Sequence, residues 1–144
     1  ELAARLSERA SEWPIPNAVP WGWRARAMTE LRRGRFASAV EWADKALKAL
    51  GPETWRMPGA SGEEAWRENK LACRANALFV RALALGHMGR LDAARETLNE
   101  GEHTVHLLDK EYMWVNWLSR DWVIADLLRR EARSLLPDRP AKAK

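Results

Sequence analysis

Apolar residues recur along this chain every three and four positions, in segments that proline and glycine interrupt. The clearest segment carries Phe36, Ala39, Val40, Ala43, Ala46, Leu47 and Leu50, and Gly51-Pro52 ends it. At 3.6 residues per turn those side chains share one face, which predicts an amphipathic helix. A preceding helix is predicted from Pro20 to Arg33, with Trp23, Ala27 and Leu31 on one face and Pro20 in its first turn. Gly34 closes it as a left-handed cap. Leu2, Leu6, Ala10 and Trp13 predict a further helix at the start, stopped by Trp13-Pro14-Ile15-Pro16-Asn17.

Residues 51–62 hold two prolines and three glycines and read as a loop, after which Ser61 and Glu64 offer a capping box. A long helix follows to about Met88. Leu71, Ala75, Leu78, Ala82 and Leu85 form one stripe of it, with Phe79 and Leu83 beside them, so contact on two sides is expected. Leu91, Ala94, Leu98, Gly101, Val105 and Leu108 mark a fifth helix. Met113 to Leu136, with Trp114, Trp117, Leu118, Trp122, Ile124, Leu128, Ala132 and Leu135, marks a sixth that Pro137 stops. No segment alternates at period two. The expectation is an all-α domain of about six helices over residues 1–136, with a basic tail or linker at 137–144.

Two of these helix pairs match each other. Gly34-Arg35-Phe36-x-x-Ala39 aligns with Gly89-Arg90-Leu91-x-x-Ala94 at an offset of 55 residues. Each pair has a small residue seven positions before its glycine, Ala27 and Ala82, and a bulky one eleven before, Trp23 and Leu78. Gly101 stands where the first unit has Ala46.

This order of aromatic, small, glycine, aromatic and small residues resembles the tetratricopeptide (TPR) helix-turn-helix unit of about 34 residues. The likeness covers residues 20 to 108, and the loop at 51–62 with the extended start of the fourth helix absorbs the longer offset. Asp121 to Ala132 is similar to the terminal segment of TPR-like regions attached to large bacterial signalling and scaffold proteins. The sixth helix is therefore expected to close the stack at one end, and the helix at 2–13 to close the other.

Composition narrows the function classes. The chain has 144 residues, 47% of them hydrophobic, enough for one core. Its net charge of +4 arises from 24 basic and 20 acidic residues interleaved along the chain. That pattern describes a solvated helical surface and argues against a nucleic-acid stripe. The densest basic run, Arg32-Arg33-Gly34-Arg35, falls at a predicted turn and reads as an exposed corner. No apolar run reaches the ~20 residues needed to span a bilayer, so no membrane role is expected. The single cysteine, Cys73, excludes an intrachain disulfide and fits a reducing, cytoplasmic compartment; in its apolar stretch it reads as a buried small residue. The start at Glu1 without methionine suggests a piece of a longer chain.

Candidate chemistry is sparse. His103 and His106, with Glu100 before them, have a conceivable metal spacing but lack a third strong ligand, so neither metal nor cofactor is expected. His87 is placed to cap carbonyls at a helix end. Asp121, between Trp117 and Trp122 on an apolar helix, needs a partner such as an arginine if it is buried. No phosphate loop or nucleophile motif appears, and no catalytic residue is assigned. Of the nine tryptophans, Trp23, Trp42, Trp117 and Trp122 read as gap fillers between helices, while Trp21, Trp55 and Trp66 are candidate partner anchors.

In TPR families the first helix of each hairpin lines the concave surface that holds a peptide or a partner helix. By motif position the resemblance implies Trp21, Arg24, Met28 and Arg32 from the first unit, and Asn76, Phe79, Leu83 and His87 from the second. The basic and asparagine pattern that clamps a C-terminal carboxylate in some members is not reproduced, so a more apolar partner is implied. The expected function is a non-enzymatic interaction or scaffold module for a protein or peptide. The alternatives are an accessory domain packing against its own parent protein, and a nucleic-acid-binding helical domain.

Overall fold

The computed structural model describes residues 19–51, 63–112 and 120–136, and among them every regular element is a helix. The elements are α1 (Val19–Arg32), α2 (Phe36–Leu50), α3 (Glu63–His87), α4 (Leu91–Tyr112) and α5 (Arg120–Leu135). The all-helical class expected from the periodicity is present. The helix expected at 2–13, the loop beyond Gly51 with Ser61, and the tail from Pro137 lie outside the described residues. So do Trp114, Trp117 and the beginning expected for the sixth helix at Met113; α5 is described from Arg120. α4 runs on past Leu108, the last residue of its expected apolar pattern, because Asp109-Lys110-Glu111-Tyr112 contains no breaker.

The two matched turns have the same geometry. Gly34 takes φ +72° and Gly89 φ +74°, a left-handed conformation open to glycine without a Cβ penalty. Around the first, Arg35 N donates to Glu30 O at 2.9 Å and Gly34 N to Leu31 O at 3.0 Å. Around the second, Arg90 N donates to Leu85 O and Gly89 N to Gly86 O, each at 2.9 Å. These paired bonds satisfy carbonyls that the helix end leaves without partners. His87 takes no part in that capping; its ring stacks on Phe36, centroids 4.6 Å apart, and so joins one turn to the other.

Each turn reverses the chain into an antiparallel hairpin, α1 with α2 and α3 with α4, and α2 packs on α3 to set the hairpins side by side. Ala27, Ala39, Ala82 and Ala94, the small residues of the repeat, are all fully buried, which lets the helices approach closely. The principal core runs from Leu31 and Ala43 through Phe79 and Leu83 to Leu98, Val105 and Leu128. Val40, Trp42 and Trp122 pack against it, partly exposed. Leu78 is buried, whereas Trp23 is only half-buried and faces a cavity beside Trp42.

On the other side of the stack two arginines of α3 tie its neighbours together. Arg81 Nε donates to Asp44 Oδ1 of α2 at 2.8 Å, and its Nη1 donates to Thr97 Oγ1 of α4 at 2.5 Å. Two helical turns earlier, Arg74 Nη1 donates to Gly51 O at the end of α2, at 3.1 Å, and Nη2 to Glu100 of α4 at 2.5 Å. Glu30, only 2% exposed, receives Arg26 at 2.9 Å and Arg35 at 2.5 Å. The buried carboxylate is thus compensated by two cations, of which Arg35 is half exposed.

Candidate interaction face

The eight residues assigned by resemblance fall into four environments. Arg24 is buried, with Nη1 2.7 Å from Asp121 Oδ1 of α5, and so supplies the arginine that Asp121 requires. Arg32 is exposed, and its Nη1 and Nη2 each lie 2.6 Å from a carboxylate oxygen of Glu131. Asn76 is fully buried and donates Nδ2 to the main-chain carbonyl of Asp121 at 3.0 Å. These three converge on α5. Trp21 and Met28 are half-buried on α1, Met28 against the core. Phe79 and Leu83 are fully buried core residues, and His87 stands exposed at the turn end.

The open surface expected along α1 and α3 is therefore taken up by the chain itself. Asp121 meets Arg24 and Asn76, Glu131 meets Arg32, and Leu135 and Leu136 meet Gly86, so α5 runs parallel to both α1 and α3. The backbones of α1 and α5 stay apart, and long side chains span the interval between them. The cause lies in the sequence of α5: Ala125, Leu128 and Ala132 recur at helical spacing, and with Leu136 beyond the helix end they are buried against the hairpins. Its contact with α4 is slighter and includes an ion pair from Arg133 to Glu102.

α5 leaves an apolar strip outward. Val123 is 49% exposed and Leu127 is 60% exposed, four residues apart on one face. Sequence reading did not separate this pair from the apolar residues around it, because every position of 122–128 except Asp126 is apolar. Trp55 and the side chain of Trp66, the other candidate anchors, lie outside the described residues. His103 and His106 are both exposed, and among the described residues no three His, Cys, Asp or Glu gather into a metal-binding group. Among the same residues no helix is long and apolar enough to cross a membrane.

Cys73 lies close to the Arg24–Asp121 pair and is fully buried. Burial pushes its thiol up to about 12 from an ordinary 9.0; the Arg24 charge opposes this and Asp121 adds to it. A raised folded-state value favours the neutral thiol, so its contribution is complete below pH 9 and is lost as pH rises towards 12. Between those limits the stability of the wild type relative to Cys73→Ala should fall by up to about 1.4 kcal/mol per pH unit. Urea denaturation of both proteins at pH 8, 9.5 and 10.5 checks this, and a constant difference would show the thiol to be solvated.

No family model matches the chain, and neither does any curated protein or solved structure. The reading of function rests on the residues themselves.

Proposed function

We propose that this chain is a protein-interaction module built from TPR-like helical hairpins, which holds a helix of another protein against α5. One observation carries the reading. α5 is gripped by Asn76 at a main-chain carbonyl and by Arg24 and Arg32 at carboxylates, and yet it turns Val123 and Leu127 outward. Asn76 recognises backbone and the arginines recognise acids, which is chemistry suited to holding a helix from the side. A partner helix laid on Val123 and Leu127 continues the stack by the rule that placed α5 on α3: each added helix buries the apolar strip the previous one leaves.

The accessory-domain reading uses the same strip, covered by another part of the same parent protein. Nucleic-acid binding has less to draw on, since Arg32 is engaged by Glu131 and Arg35 by Glu30.

The test is reconstitution with purified components. A protein retained by the immobilised chain is purified and titrated against it, and saturable binding should survive physiological salt and vanish for Val123→Asp with Leu127→Asp. Association seen only when the neighbour is covalently joined would favour the accessory role. Affinity for a duplex oligonucleotide that falls steeply with salt, and is lost on replacing Arg32, Arg33 and Arg35, would favour the nucleic-acid role.

A further inference from the structure

The first hairpin carries a cavity of about 630 Å³ lined by Trp23 of α1 and Trp42, Lys45, Lys48 and Ala49 of α2. Trp42, Lys45 and Ala49 follow one another at three and four residues and so form one strip of α2. Both indoles are half-buried, whereas Lys45, Lys48 and Ala49 are exposed. The ammonium of Lys45 sits 4.0 Å from the centre of a Trp42 ring. Among the described residues neither lysine pairs with a carboxylate: Glu41, one turn before Lys45, makes no ion pair with it, and Asp44 is held by Arg81.

The second hairpin shows the same face closed. At the 55-residue offset Trp23, Trp42 and Ala49 correspond to Leu78, Thr97 and Thr104, which are 1%, 2% and 0% exposed. Leu78 and Arg81 share the face of α3 that receives α2, where Asp44 of α2 accepts from Arg81 and Arg81 also reaches Thr97. Arg26 repeats the placement of Arg81: its guanidinium carbon lies 5.8 Å from the centre of the Trp42 ring, which stands at the position of Thr97. Ahead of α1, however, no described helix takes the part of α2. The charge differs as well. Glu100 of the second hairpin is tied to Arg74 beside it, but its counterpart Lys45 has no acid of its own.

We propose that the first hairpin receives on this face an acidic amphipathic helix of another protein, laid on α1 as α2 is laid on α3. Its apolar side chains enter the cavity between the indoles, and its carboxylates meet Lys45 and Lys48. Two features fix that chemistry. A cavity of this volume walled by indoles favours apolar groups, which gain by leaving water. Two ammonium groups without acids at its rim favour carboxylates and repel a basic helix, so charge selects among partners of equal hydrophobicity. A second copy offering its Val123 and Leu127 strip brings no such acids, because Asp121, Asp126 and Glu131 are each held by arginines of their own chain. The face shares no residue with the strip on α5, so loss of one leaves the other intact.

The test uses the intact chain and two synthetic peptides with leucines along one helical face. One carries glutamates on its flanks and the other lysines in their place. Fluorescence anisotropy of the labelled peptides gives their Kd. The glutamate peptide should bind about tenfold more tightly than the lysine peptide, or better. Ala49→Arg, which fills the cavity from an exposed position, should weaken the glutamate peptide about tenfold. Lys45→Glu with Lys48→Glu should weaken it by about the same factor and improve the lysine peptide. Val123→Asp with Leu127→Asp should leave both Kd values unchanged. Circular dichroism and urea midpoints establish that each variant folds. Equal binding of the two peptides, or binding insensitive to Ala49→Arg, would overturn the proposal. Binding lost only with the α5 substitutions would place the peptide on α5 and overturn it too. Failure of both peptides to bind would mean that the face is closed to an outside helix. A dimer in sedimentation velocity that Ala49→Arg dissociates would give the face to a second copy instead.

Discussion

Gly101→Ala should destabilise the protein by about 1–2 kcal/mol, although alanine for glycine inside a helix ordinarily gains close to 1 kcal/mol. A Cβ at position 101 would stand 2.6 Å from Cε1, 3.0 Å from Cδ1 and 3.3 Å from Cζ of Phe79. The ring cannot retreat easily, because Phe79 is fully buried where α3 meets its neighbours. Gly101→Val adds two methyls to the same clash and should cost about 3 kcal/mol or more. The decisive measurement is a double-mutant cycle by urea denaturation: Phe79→Leu shortens the ring away, so Gly101→Ala in that background should be neutral or stabilising. Additive losses would mean that the close approach of ring and glycine is not what limits this position.

The repeat explains why this glycine was half legible. Ala46 is its counterpart in the first unit and accommodates a Cβ while fully buried. The residue 55 positions before Phe79 is Arg24, whose side chain leaves towards Asp121 instead of filling the hairpin. Sequence alone pairs Ala46 with Gly101, but only the fold shows that an aromatic in one unit demands glycine across from it and an arginine in the other does not. The turns were fully legible, since a glycine with a fixed neighbour pattern specifies a left-handed cap through local backbone sterics.

Where helices sit relative to one another was harder to read. The periodicity of α5 announces an apolar face but not the surface it seeks, because helix packing is set by the shapes of both partners. The expectation placed the last helix at the end of a stack; in the structure it lies mainly along α3, parallel to α1, and thereby fills the face assigned to a partner. The resemblance assigned Arg24, Arg32 and Asn76 to a partner surface, and in the structure all three contact α5, while Asp121, expected to need a cation if buried, has Arg24. That they answer one another is a long-range fact, spanning 97 positions for Arg24 and Asp121, that no local spacing encodes.

The hold on α5 can be apportioned by mutation. Arg24→Met should cost about 2–3 kcal/mol, because it strands the Asp121 carboxylate in a site where the side chain is only 17% exposed. The loss stays below that of a fully buried pair, since Asp121 also lies in the first turn of α5, where the helix dipole favours an anion. Neutralising both members, Arg24→Met with Asp121→Asn, should recover most of the stability, as expected when an ion pair mainly offsets its own desolvation. Arg32→Ala at the other end should cost no more than about 1 kcal/mol and should lose even that in high salt, because Glu131 and Arg32 face water. Cys73 supplies an independent readout: buried beside the Arg24–Asp121 pair, it should react with iodoacetamide faster in Arg24→Met than in Arg32→Ala, reporting local release of α5 without global unfolding. Equal stabilities and equal alkylation rates for the two variants would show instead that the apolar stripe of Ala125, Leu128 and Ala132 holds α5 unaided, and that the inner ion pair fixes only its register along α3.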